Sequence, residues 1–88
     1  MQTAIVEKYP FTYERKGGDL LIYSYNGPFP IGRITNHDAT LWYGEESHDL
    51  PINTRQIQSL DDYTLVSWLA SNYLQIARHR RRQIKPVA

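Results

Sequence analysis

The side chains best suited to chemistry fall in two His-Asp pairs, His37-Asp38 and His48-Asp49. Imidazole and carboxylate groups side by side can bind a metal ion or move protons. Both pairs lie in segments that predict turns or loops, and no helix fixes a third histidine at a ligand spacing beside them. The sequence also has no Gly-x-Ser-x-Gly motif and no glycine-rich loop leading into a helix. We therefore expect no catalytic residue, no metal site and no cofactor, and predict that the protein is not an enzyme.

Aromatic and arginine residues are the second kind of candidate, because they anchor many protein–protein contacts. Four of them share a predicted sheet face that points away from the helix, although ordinary cross-strand pairing would also place aromatics there. Arg33 would lie across from Trp42, where an exposed cation–π contact contributes about 0.5–1 kcal/mol. Trp68 lies outside the apolar stripe of the helix, so either a partner or a loop or strand end of this chain covers it. The predicted partner-binding residues are Tyr23, Tyr25, Arg33, Trp42 and Trp68.

Positive charge is concentrated in the last part of the chain. Residues 78–88 hold five Lys or Arg and no acidic residue, whereas residues 1–77 hold five basic and nine acidic residues, a net charge of −4. Such cations either stabilise the end of a helix through its dipole or contact phosphates or an acidic protein. Both interpretations stay open. The predicted basic-contact residues are Arg78, Arg80, Arg81, Arg82 and Lys85.

One long helix is predicted over residues 59–83, the longest run without Gly or Pro. Ser59 is expected to be its N-cap, with Asp62 completing an acidic capping box. Apolar residues recur at helical spacing and predict a buried stripe. The stripe consists of Leu65, Val66, Leu69, Ala70, Tyr73, Ile76 and Ala77.

The strands come before this helix. Residues 11–15 and 20–25 alternate around Gly17-Gly18, which predicts a hairpin with Tyr13 opposite Ile22. Residues 31–35 and 40–43 predict a second strand pair, with Ile34 opposite Leu41, and residues 44–49 predict an acidic loop. Strands followed by one helix indicate an α+β fold. We expect one domain over residues 1–88, with a small antiparallel sheet of about four strands packed on one long C-terminal helix.

Composition limits the setting. The chain has 88 residues and no cysteine, so disulfides and thiolate metal sites are excluded. No apolar run approaches the ~20 residues that span a bilayer, and the first residues do not resemble a signal peptide. We therefore expect a cytoplasmic protein that does not enter a membrane.

Two functions are consistent with these features. The first is a non-enzymatic protein-binding module, acting as an inhibitor or adaptor, because the body of the chain is acidic and rich in aromatic residues. The alternative is a nucleic-acid-binding protein that stacks bases on an aromatic sheet face and holds phosphates with the arginine-rich end. A homodimer is left open in either case. In size and layout the chain resembles the small accessory proteins of phages and mobile elements, including anti-CRISPR proteins, a resemblance that implies a host protein complex as the partner.

Overall fold

The computed structural model describes residues 1–25 and 27–83, with side chains as far as Arg80. Six strands are followed by two helices in this part of the chain. They are β1 (Gln2–Val6), β2 (Tyr9–Lys16), β3 (Asp19–Ser24), β4 (Pro30–Ile34), β5 (Ala39–Tyr43), β6 (Glu46–Leu50), α1 (Thr54–Ser59) and α2 (Asp62–Gln83).

The strands form one antiparallel sheet in which every strand lies beside its neighbours in sequence, in the order β1 to β6. The predicted α+β fold, an antiparallel sheet against a C-terminal helix, is confirmed. The predicted count of four strands is too low, because β1 and β6 also pair at the two edges. Residues 44–49, predicted as a loop, instead supply a two-residue turn at Gly44 and most of β6.

The predicted hairpin between β2 and β3 is confirmed residue by residue. Tyr13 lies opposite Ile22 and Phe11 opposite Ser24. Gly17 and Gly18 have φ of 57° and 90°, values that glycine adopts with little strain. This register turns Phe11, Tyr13, Leu20 and Ile22 toward the core.

The predicted register between β4 and β5 is wrong by two residues. Ile34 lies opposite Ala39, not Leu41, and Arg33 lies opposite Thr40, not Trp42. The turn closes earlier than expected because the backbone N–H of Thr35 donates to the carbonyl of Asp38 at 2.9 Å, and the Thr35 hydroxyl accepts from the N–H of Asp38 at 3.1 Å. An even shift leaves each side chain on its predicted face but changes its partner.

The helical region divides into two helices, so the predicted N-cap is also wrong. Ser59 ends α1, and its hydroxyl donates to the carbonyl of Gln56. Asp61 lies just before α2, where its carboxylate accepts the backbone N–H of Thr64 at 2.8 Å, the usual cap geometry. Asn53 caps α1 through a reciprocal capping box with Gln56.

The core lies between the sheet and the helices. Leu65, Val66, Leu69 and Ala70 of α2 are fully buried, as the stripe predicts, and Ile57 of α1 joins the same cluster. Leu74 is also buried, although it lies outside that stripe. Both helices therefore cover one face of the sheet.

Candidate functional site

The face of the sheet opposite the helices, here called the outer face, carries three of the predicted partner-binding residues. Strand alternation and register turn the following side chains to it: Thr12, Glu14, Leu21, Tyr23, Arg33, Thr40 and Trp42. The apolar members, Leu21, Tyr23 and Trp42, remain partly exposed. The outer face thus spans the four central strands and combines aromatic, aliphatic and charged side chains.

Two polar interactions fix side chains on the outer face. The Tyr23 hydroxyl donates to Glu14 Oε2 at 2.9 Å, across the β2–β3 pair. Burial raises the pKa of Tyr23, and the bond to the Glu14 carboxylate raises it further, so the phenol stays protonated. Arg33 donates through Nε and Nη2 to Asp19 Oδ2 at 2.9 and 2.5 Å. The predicted pairing of Arg33 with Trp42 is therefore replaced by an ion pair with Asp19.

The other two predicted partner-binding residues lie elsewhere. Tyr25 follows the end of β3, is 58% exposed, and lines a cleft on the helix side of the sheet. Trp68 is partly buried, packs against the core and borders a shallow groove with Ile52 and Leu60. The segment before α1 thus lies beside Trp68, and contact of Trp68 with a partner stays a prediction. The five residues do not form one surface.

Two of the predicted basic-contact residues, Arg78 and Arg80, form ion pairs with acidic residues of the β1–β2 turn and of β6. Arg78 donates to Glu7, which also accepts the Ser71 hydroxyl at 2.9 Å. Arg80 donates to Glu46 on β6. The side chains of Arg81 and Arg82, and all of Lys85, lie outside the described residues. Arg78 and Arg80 therefore link α2 to the β1–β2 turn and to β6 through ion pairs.

A cleft of about 350 Å³ opens at one end of the domain, between α2 and the ends of β2, β3 and β5. We call it the tyrosine cleft, because four of its lining residues are tyrosines. Its principal lining residues are Tyr9, Phe11, Tyr25, Tyr43, Tyr73 and Arg78.

The inner wall of the tyrosine cleft is a packed aromatic group. Tyr73 packs edge-on against Phe11, with ring centres 6.2 Å apart, and lies 5.5 Å from the ring centre of Tyr43. Burial raises the pKa of Tyr73, and the neighbouring Tyr43 contributes in the same direction. The wall therefore presents apolar ring surface, and the Tyr73 phenol within it stays protonated at neutral pH.

Sequence reasoning missed the tyrosine cleft. Its tyrosines come from four separate places in the chain and share no local periodicity, so only the folded topology brings them together. The one available signal was composition, since the chain has seven tyrosines among its 88 residues.

The two histidines of the opening pairs lie apart. His37 is exposed in the β4–β5 turn, while His48 lies on β6 with Nε2 3.4 Å from Glu46 Oε2. Over residues 1–25 and 27–83, no group of three His, Asp or Glu side chains is arranged to hold a metal ion. Within the same ranges, neither helix has the length and apolar character needed to cross a membrane.

Comparisons with protein-family models, curated proteins and solved structures find no match for this chain. The function is therefore inferred from the chemistry of these surfaces.

Proposed function

We propose that this protein is a non-enzymatic protein-binding module, an inhibitor or adaptor, and that the outer face is its contact surface. One observation carries the proposal: Tyr23, Trp42 and Leu21 lie together on the sheet face that neither α1 nor α2 covers. A sheet of this kind commonly leaves one face to solvent, but that face is then usually polar. Aromatic residues gathered there are the composition of an interface centre.

The anchoring of these side chains supports binding with little loss of entropy. Tyr23 is held by Glu14, and Arg33 by Asp19, before any partner arrives. Side chains already fixed in the free protein lose less conformational freedom on association. Two side chains of the outer face are thus held in place before a partner binds.

Charge indicates the kind of partner. Glu14, Asp19 and Asp49 outnumber Arg33 and Lys16 on this face and belong to a body of net charge −4 over residues 1–77. A protein surface with an apolar centre and a basic rim complements this arrangement. The resemblance in size and layout to anti-CRISPR and other phage accessory proteins supplies the setting we propose, in which the partner is a host protein complex.

The test is capture of partners from a bacterial lysate on the immobilised protein, with and without nuclease. We expect a protein partner that survives nuclease, and a loss of more than ~1 kcal/mol of binding free energy for Trp42→Ala and Tyr23→Ala, the threshold that marks an interface anchor. Tyr63→Ala is the matched control, since Tyr63 is 50% exposed at the start of α2 and away from the outer face. Unchanged affinity in both outer-face variants, with native circular dichroism, would show the proposal to be wrong.

The nucleic-acid-binding alternative stays a prediction, and the same experiment distinguishes it from protein binding. Binding through phosphate contacts weakens by about 0.7–0.9 log unit per contact for each tenfold rise in salt. A partner lost on nuclease treatment, and an affinity that falls steeply with salt and with charge reversal at Arg78 and Arg82, would favour that alternative.

A further inference from the structure

Exposed aromatic side chains are concentrated at the end of the domain that holds the tyrosine cleft. Phe29, in the β3–β4 connection, is 78% exposed, the largest fraction among the described large apolar residues. Tyr25 and Tyr9, on the rim of the cleft, are 58% and 49% exposed. A contiguous exposed apolar patch on a small domain commonly marks an interaction site.

The segment that carries Phe29 is suited to insertion into a cleft. It reads Gly27-Pro28-Phe29-Pro30, with a proline on each side of the aromatic ring and no charged residue. Its start is fixed, because the N–H of Gly27 donates to the carbonyl of Ser24 at 2.8 Å. The prolines restrict the backbone further, so presenting the ring to a partner costs little conformational entropy.

The tyrosine cleft has the chemistry to accept such a segment. Aromatic-lined grooves recognise proline-containing segments, with ring faces packing on the pyrrolidine rings and hydroxyls available to backbone carbonyls. The charge that lines the cleft, the Arg78 guanidinium, is already bound by Glu7. Insertion of an apolar segment therefore leaves no unpaired charge at this site.

We propose that the protein self-associates by reciprocal exchange, in which the Gly27–Pro30 segment of one copy enters the tyrosine cleft of a second copy. The segment begins two residues after Tyr25, which itself lines the cleft, so donor segment and acceptor cleft are adjacent on one end. A two-fold axis beside Tyr25 therefore satisfies both contacts at once, as a symmetric dimer requires. The exposure of Phe29 means that it does not fill its own cleft.

Sedimentation velocity over a concentration series tests the exchange. For so small an interface, we expect the wild-type mass to rise toward twice the monomer value between ~10 µM and ~1 mM. Phe29→Ala removes the inserted ring and should stay monomeric, with unchanged circular dichroism because Phe29 makes little contact with its own domain. Tyr63→Ala, 50% exposed at the start of α2 and away from the tyrosine cleft, is the control and should associate like the wild type. A wild type that is monomeric throughout, or Phe29→Ala that associates equally, overturns the proposal.

Mixing two variants tests whether the donor segment of one copy binds in the tyrosine cleft of the other. Ala77→Trp should fill the cleft while leaving the donor segment intact, since Ala77 lines the cleft on α2. Alone, it and Phe29→Ala should both be monomeric. An equimolar mixture restores one of the two contacts and should form a dimer that is weaker than the wild-type dimer and is detected at the upper end of the concentration series. If Ala77→Trp perturbs α2, Tyr25→Ala, which removes an exposed wall of the cleft, takes its place. A mixture of folded variants that stays monomeric contradicts the exchange.

The proposed self-association and the proposed partner binding can be refuted independently of each other. Self-association depends on the Gly27–Pro30 segment and the tyrosine cleft, and partner binding on the outer face. Loss of partner binding in Trp42→Ala with dimerisation retained, or the reverse in Phe29→Ala, assigns each function to its own surface.

Discussion

Glu7 links the beginning of the sheet to α2, through Ser71 near the middle of the helix and Arg78 nearer its end. It lies in the tight turn between β1 and β2, where its own φ is 50° and that of Lys8 is 75°. Residues other than glycine and asparagine are uncommon at such positive φ values. The carboxylate accepts from Arg78 and from the Ser71 hydroxyl, and these bonds help to hold the turn in place.

These bonds make stability depend on pH. The bond from Arg78, followed by that from Ser71, holds the pKa of Glu7 below its ordinary value. A carboxyl whose pKa is lower in the folded than in the unfolded chain adds stability above the unfolded value of about 4.3, and this is lost as pH falls through the folded value.

Glu7→Gln should therefore melt below the wild type at neutral pH, because the neutral amide cannot form the ion pair. The difference should shrink as the pH falls below ~4, where the wild-type carboxyl becomes protonated. Melting temperatures recorded across this range check the expectation. Glu45→Gln, an exposed glutamate in the β5–β6 turn, is the control. A gap that is constant with pH would exclude a role for the Glu7 charge.

Gly32 lies close against Leu69 of α2, where there is no room for a Cβ. A Cβ added there would lie 2.7 Å from Leu69 Cδ1, and Leu69 is fully buried. Gly32→Ala should cost about 1–3 kcal/mol of unfolding free energy through overpacking. Leu69→Ala should cost about 2–5 kcal/mol through the cavity it leaves.

The two substitutions are expected to be coupled. The methyl group that Gly32→Ala adds would occupy part of the space that Leu69→Ala vacates, so the double variant should lose less than the sum of the single losses. Urea denaturation of the four proteins provides the free energies. Additive losses would mean that Gly32 and Leu69 do not share this contact.

Residue-level prediction placed most strand residues on the correct face and gave the correct partners across β2–β3, but it misplaced Tyr25 and the partners across β4–β5. Alternation alone places Tyr23, Arg33 and Trp42 on one face, because side chains of a strand alternate with a period of two. It does not decide whether Arg33 meets Trp42 or Asp19, since a two-residue shift in register keeps the face and changes the neighbour. Hydrogen bonds of the Thr35–Asp38 turn settle that register.

The position at which α2 begins depends on which residue caps the helix. Ser59 and Asp61 are both good N-cap types, but only Asp61 accepts the N–H of Thr64. We expect Asp61→Ala to lower the melting temperature, Asp61→Asn to retain most of it, and Ser59→Ala to have the smaller effect of the two alanine variants. A larger loss for Ser59→Ala would mean that α2 begins earlier than described.

The edge strands were not counted in the predicted sheet of about four strands, for physical reasons. The β1–β2 turn consists of Glu7 and Lys8, which give none of the usual turn signals, and Pro10 lies within β2 opposite Ile5. The β6 strand, Glu46–Leu50, is largely polar because it forms an edge of the sheet. For β6, pairing with β5 rather than intrinsic preference makes the segment extended.

At the scale of the whole molecule, the two candidate surfaces differ in how far sequence could reveal them. The outer face follows from strand alternation, so most of its members were predictable. The tyrosine cleft required knowledge of which strand ends meet α2, and Tyr9, Tyr43 and Tyr73 reach it from β2, β5 and α2. The tyrosine cleft is formed by contacts between elements that are distant in sequence. Such contacts leave no periodic pattern in the sequence from which the cleft could be predicted.

The sequential order of the strands has a consequence for synthesis of the chain. Each strand pairs with the one before it, so a nascent polypeptide can extend the sheet as it leaves the ribosome, without long loops to close. The helix that covers the apolar side comes after all six strands. Until it emerges, Leu20, Ile22, Ile34 and Leu41 remain open to water and to other nascent chains. The interval before α2 is translated is therefore when this chain most needs a chaperone.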